Sequence, residues 1–277
     1  MRNVNRVDEV NYNNFGSKMI IVNQYRYNNV TYIDVYFPKY DCVVKHVEYK
    51  QFKKGWLRCP YEPRCYGVGY LGEGKYKVSE NGKLTKVYNT WKDMLRRCYD
   101  EKYQEKHPTY NACEVCTEWH NFQAFAEWYE NNYYEIPNEK MCLDKDILLH
   151  GNKIYSRDTC LFVPNRINLL FTYKRNNKLK LPSGISPNGS KYQVMCHDGS
   201  GKRIILGTYE TINEAFTIYK EFKERVIKQV ADEYYSKSLI PKKVQDALYN
   251  YEVLITDWQD EKYFKNVLAI KFNKTII

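Results

Sequence analysis

The chain has 277 residues, of which 43% are hydrophobic, 27% charged and 16% aromatic, and it carries a formal net charge of +10. That balance fits two or three small globular domains and excludes a disordered chain. No run approaches the roughly 18 apolar residues of a membrane helix, and the polar start MRNVNRVDEVNYNN lacks an apolar signal core, so neither a membrane protein nor a secreted one is expected.

The charge is unevenly spread. The first ninety residues hold fifteen Lys and Arg against eight Asp and Glu. A second stretch, from Asp158 to Asp198, has no acid between its ends but carries Arg166, Lys174, Arg175, Lys178, Lys180 and Lys191. Such a stripe can neutralise phosphates; a solvated linker has the same composition. Twenty-eight tyrosines suit an interface or a nucleic acid, and a Lys-, Asn- and Tyr-rich coding dialect is the plainer source of most of them. Nine cysteines, odd in number and irregular in spacing, read as reduced thiols of a cytoplasmic protein.

In chain order, Met19 to Tyr25, Val30 to Phe37 and Cys42 to Tyr49 are β-branched and aromatic runs separated by turn residues at Asn28-Asn29 and Lys39-Tyr40-Asp41. They predict a small antiparallel β module over residues 1–65. The glycine cluster from Tyr66 to Tyr76 has no Gly-Lys-Ser/Thr to make a phosphate loop and predicts a flexible linker or turn. Trp91, Met94, Leu95 and Cys98 share one face of a helix predicted over 90–103, with Thr90 as its cap. Trp119, Phe122, Phe125, Ala126 and Tyr129 do the same over 117–134.

Residues 141–170 hold two apolar runs around a polar turn, and 174–184 read as a basic linker. Three short strands are predicted over 184–211, with turns at Pro187-Asn188-Gly189 and Asp198 to Gly201. A helix follows over 211–235, with Thr211 and Glu214 in capping-box positions. The remaining tail, 237–277, predicts a short helix over 241–251 and a strand-like LAIKF.

Two constellations carry possible chemistry. Cys113-x-x-Cys116 is half of a zinc site, and buried free thiols are the plainer reading. Asp144 and Asp146, with His150 and Asn168 downstream, have the residue types to hold Mg²⁺ for phosphodiester hydrolysis; a solvated turn flanked by Leu143, Ile147 and Leu148 has the same sequence.

The run from Gly67 to Phe171 resembles phage HNH endonuclease-like proteins. The resemblance rests on GVGYLGEGKY, on Trp91, Met94, Leu95, Arg97, Cys98 and Tyr99, and on Val115, Cys116, Glu118, Trp119, Phe122 and Phe125. It continues through Leu143 to Ile147, Gly151, Asn152, Lys153, Tyr155 and Ser156, and Cys160, Phe162, Val163, Pro164, Ile167 and Asn168. It implies a ββα scaffold over 66–173. In such nucleases a histidine general base follows the aspartate; here Lys145 follows Asp144, and Thr159 stands near the middle asparagine position. The implied nuclease site is therefore degenerate.

Residues 182–236 resemble the plant ethylene-response-factor type DNA-binding domain. The match is carried by Gly184-Ile185-Ser186, Lys191-Tyr192-x-Val194, Ile205 to Tyr209, Thr211, Glu214, Ala215 and Tyr219. It implies a three-stranded sheet plus helix that contacts double-stranded DNA, with Ser186 where the family has a base-reading arginine. Lys174, Arg175, Lys178, Lys180, Lys191, Tyr192, Lys202 and Arg203 are the candidate DNA contacts.

The expectation is thus an α+β cytoplasmic DNA-binding protein on a homing-endonuclease-like scaffold. The second reading is a phage anti-defence protein that inhibits a host defence nuclease complex, of the CRISPR or Gabija type, through protein–protein contacts. A homo-oligomer fits either reading.

Overall fold

The computed structural model describes residues 4–172 and 181–255. The chain is mixed α/β and forms two compact units. The first runs to Asn131 and takes in Ile154–Ser156; the second comprises Asn132–Lys153 and the described residues from Arg157 onward.

The first unit begins with β1 (Val10–Tyr12), β2 (Lys18–Tyr27), β3 (Val30–Phe37) and β4 (Cys42–Glu48), an antiparallel sheet in sequential order. The β2–β3 turn is Asn28-Asn29, both left-handed at φ 45° and 63°, a conformation that asparagine tolerates better than other side-chain-bearing residues. Alternation sends Met19, Ile21, Ile33, Val35 and Phe37 to one face. There they bury against Cys42, Val47, Leu57, Cys59 and Phe52, the last from α1 (Tyr49–Lys53). β1 is only three residues long and carries no alternation signal; its pairing with β2 is what creates it.

The hairpin β5 (Ser79–Glu80) and β6 (Lys83–Leu84) leads into α2 (Lys86–Tyr99). The buried face is the predicted one, Trp91, Met94, Leu95 and Cys98. The cap is not: Thr85 receives the Tyr88 N–H, while the Thr90 hydroxyl donates back to the Lys86 carbonyl at 2.9 Å inside the helix. Asp100 caps the short α3 (Glu101–Lys106) through Tyr103 N–H at 3.1 Å. After β7 (Glu114–Val115), a 3-10 turn at Thr117–His120 precedes α4 (Phe122–Asn132), so the helix predicted from 117 starts five residues late. The Trp91 indole N–H donates to the Trp119 carbonyl at 2.7 Å, satisfying the polar atom of a fully buried ring.

The glycine cluster is not a flexible linker. Tyr70 N–H donates to His120 O and Phe122 N–H to Tyr70 O, both at 2.9 Å, so this strip is stitched to the start of α4. A Cβ on Gly69 would lie 2.4 Å from Leu95 Cδ1 and 2.9 Å from Trp91, so glycine is required by close approach to α2.

In the second unit β8 (Met141–Asp144) pairs antiparallel with β10 (Leu161–Pro164), which runs into α5 (Asn165–Leu170). Between them β9 (Ile154–Tyr155) belongs to the first unit and pairs parallel with β7. A three-stranded antiparallel sheet follows: β11 (Ile185–Asn188), β12 (Lys191–His197) and β13 (Arg203–Tyr209). Thr211 and Glu214 form the predicted capping box of α6 (Ile212–Ser236), worth about 1 kcal/mol. α7 (Lys242–Tyr249) completes the unit, and LAIKF lies outside the described residues.

One apolar core joins these parts. Ile147, Leu161, Val163 and Ile167 from the β8–α5 segment pack in the same cluster as Val194 and Cys196 of β12 and Tyr219, Val226 and Val230 of α6. Among the described residues no helix is long and apolar enough to cross a membrane.

Candidate nucleic-acid interface

The aspartates at the end of β8 are held by their own loop. One Asp144 carboxylate oxygen accepts the backbone N–H of both Asp146 and Ile147, each at 2.8 Å. Burial, helped by the nearby Asp146 charge, lifts the Asp144 carboxyl above its ordinary value; the two N–H bonds and Lys145 pull the other way. Lys145 is only 5% exposed. Its ammonium donates to Asp146 at 2.7 Å and to the Asn152 carbonyl at 2.7 Å, and Asn152 returns a side-chain bond to the Lys145 carbonyl at 2.9 Å.

One Asp144 oxygen is thus shared by two amides and one Asp146 oxygen is held by a buried ammonium, whose charge opposes a second cation beside it. The His150 ring lies against Tyr251, with centroids 5.0 Å apart. Asn168 is half-buried on α5. Among the described residues no three His, Cys, Asp or Glu side chains group to hold a metal ion. Cys113 is buried with its Sγ 3.8 Å from the Thr109 carbonyl, and Cys116 is half-buried.

The candidate DNA contacts divide into three groups. Lys174, Arg175, Lys178 and Lys180 lie outside the described residues. Lys191 is exposed and paired with Glu210 at 2.5 Å, while Lys202 and Arg203 are exposed at the β12–β13 turn and the start of β13. Tyr192 is the correction. It stands opposite Tyr209 and packs on the apolar core, because the two-residue strand period puts it on the side of buried Val194. It faces α6 rather than the open side of the sheet. Arg166, counted in the basic stripe, is engaged within the unit: it forks onto Glu233 at 2.9 and 2.8 Å and donates to the Gly199 carbonyl at 3.0 Å.

The open side of this sheet carries what the sequence reading overlooked. Strand register aligns Ser186 with Gln193 and Gln193 with Thr208, then Met195 with Ile205 and His197 with Arg203. Asn188 reaches Thr208 Oγ1 at 3.5 Å across this face, and Ile205 is 62% exposed. The alternation of β12, Lys191-x-Gln193-x-Met195-x-His197, was the available signal. The turn before β13 is stiffened by Asp198, whose carboxylate accepts from Ser200 Oγ at 2.7 Å, Ser200 N at 2.9 Å and Lys202 N at 3.2 Å. Those bonds, the Ser200 hydroxyl foremost, hold its carboxyl below the usual range.

No protein-family description, curated protein or solved structure matches this chain in comparison.

Proposed function

We propose that the protein binds double-stranded DNA through the open face of β11–β13, on a nuclease-like ββα scaffold that has lost metal-dependent chemistry. The observation that carries this reading is the one-sided sheet. α6 covers one face, and the other presents Ser186, Asn188, Lys191, Gln193, His197, Arg203 and Thr208. These side chains donate and accept hydrogen bonds in the ways that base edges and phosphates require. Three strands span about 10 Å, which enters a major groove about 12 Å wide. Lys202 and Arg203 supply charge at one end of the sheet. The hairpin of β8 and β10 followed by α5 supports the scaffold reading, and the buried Lys145 ammonium beside Asp144 and Asp146, where a metal would bring a second positive charge, supports its loss of cleavage.

The test is duplex binding at two salt concentrations with cleavage scored in Mg²⁺ and Mn²⁺. About six phosphate contacts weaken binding roughly a thousandfold between about 50 and 200 mM salt. Arg203→Ala is expected to weaken binding and lower the salt slope by about one. No nicking is expected with either metal. Nicking abolished by Asp144→Ala would restore the nuclease reading. No duplex binding at either salt would remove the DNA reading in favour of a protein partner.

A further inference from the structure

The N-terminal unit carries a second surface unrelated to the C-terminal sheet. Phe15 and Trp56 are 56% and 59% exposed, and Tyr12 is 59% exposed. Exposed rings are usually scattered, but the loops that carry Phe15 and Trp56 meet. The Asn14 N–H donates to the Gly55 carbonyl at 2.9 Å, so the backbone just before Phe15 is bonded to the backbone just before Trp56. Asn11 Nδ2 adds a bond to the Phe52 carbonyl at 2.8 Å. A Cβ on Gly55 would sit 2.7 Å from Asn14 Oδ1 and 3.0 Å from the Tyr12 carbonyl, so the two loops touch.

The tip that displays Phe15 is rigid. Asn13, 4% exposed, accepts Phe15 N–H at 3.0 Å and Ser17 N–H at 2.8 Å, and its amide donates to Glu62 at 3.1 and 3.2 Å. Glu62, 3% exposed, also receives the Ser17 hydroxyl and Arg58 Nε. A satisfied buried network thus holds a large apolar ring in water, a costly arrangement that contributes nothing to the core.

Cations surround the rings. Arg58 lies 3.8 Å over the Phe15 ring and Lys54 lies 4.2 Å over the Trp56 ring. No acid occurs between Glu48 and Glu62, a stretch that holds Lys50, Lys53, Lys54 and Arg58. The single buried acid, Glu62, is already taken by Arg58. Among the described residues no carboxylate lies within ion-pair distance of Lys18, Lys53, Lys54 or Arg64. Arg58 and Arg64 are close enough to repel one another.

We propose that this face, formed by Phe15 and Trp56 with Lys53, Lys54 and Arg64, binds single-stranded nucleic acid. Exposed rings offer stacking to unpaired bases and unpaired cations offer charge to the backbone, the combination that sequence-tolerant single-strand binding uses. A lipid surface fits less well. Burying Phe15 and Trp56 in acyl chains would drag in the cations that sit about 4 Å over their faces. The proposal does not rest on duplex binding by β11–β13.

The experiment measures fluorescence anisotropy of a labelled dT20 oligonucleotide with the full-length protein. The variants are Trp56→Ala, Lys54→Ala/Arg64→Ala and Arg203→Ala, with folding checked by circular dichroism. Trp56→Ala is expected to weaken binding about tenfold, because it removes one base-stacking ring. The double charge variant is expected to flatten the salt dependence, each lost phosphate contact lowering the slope by about 0.7. Arg203→Ala is expected to keep dT20 affinity. Unchanged dT20 affinity in folded Trp56→Ala would overturn the proposal, as would a loss confined to Arg203→Ala. Co-sedimentation with phosphatidylserine vesicles in the absence of dT20 binding would also overturn it and assign the face to a membrane surface.

Discussion

The Lys145 ammonium donates to the Asp146 carboxylate at 2.7 Å from a side chain that is almost wholly out of water. A buried cation held by hydrogen bonds is a structural element, and its removal takes away the bond to the Asn152 carbonyl. Lys145→Ala is expected to cost about 3 kcal/mol in chemical denaturation. Lys145→His is expected to cost stability without conferring cleavage, since Asp144 would still be engaged by two backbone amides.

Arg166 and Glu233 make a fork between α5 and α6. The hydrogen bonds from Arg166 bring the Glu233 carboxyl down to about 2 from its ordinary 4.5. A depressed acid contributes stability above its unfolded value and loses it as pH falls through the folded value. Wild type is therefore expected to exceed Arg166→Ala by about 1 kcal/mol above pH 4.5, the figure being modest because both side chains are more than a third exposed. The gap should close as pH approaches 2. A gap that stays constant across that range in acid titration of stability would show that Arg166 acts through packing alone.

Lys223 sits on α6 at 6% exposure near the Cys196 thiol. Burial holds its amine below the ordinary 10.5. The unfolded chain binds this proton more tightly, so the penalty is full below the folded value and fades as pH rises toward 10.5. Lys223→Met keeps the length and removes the charge. It is expected to raise stability at neutral pH by about 1 kcal/mol or more, seen as a higher thermal midpoint, with the advantage shrinking in alkali. A lower midpoint at neutral pH would contradict this account.

Gly69 has no room for a methyl group, because Leu95 and Trp91 are fully buried and have little space to retreat. Gly69→Ala is expected to cost about 1–3 kcal/mol by overpacking. Gly67→Ala differs in kind: nothing lies within 4 Å of its Cβ position, and its cost comes from a φ of +77° alone. Comparing the two in urea separates crowding from backbone strain.

Several elements were legible because their causes are local. The period of two in Val30 to Phe37, the Asn28-Asn29 turn and the Thr211–Glu214 capping box each depend on residues within a few positions of one another. The α2 face was visible too, but its start was misplaced because Thr85 and Thr90 are both competent caps, and the hairpin before Thr85 decides between them. The exposed rings of Phe15 and Trp56 gave no joint signal, since forty-one positions separate them in sequence.

The amino-acid sequence by itself determined the longer strands and helices and which of their faces are apolar, because hydrophobic periodicity and capping act over one or two turns of chain; short elements such as β1 and β9 form only through pairing with distant strands. Tertiary structure alone decided what each polar or small residue does. It turned Lys145 into an interior cation, directed Arg166 onto Glu233, and pressed Gly69 against α2. It also merged the β8–α5 segment with the β11–β13 sheet into one core. Burial and partner choice depend on residues distant in sequence, and no local pattern encodes them.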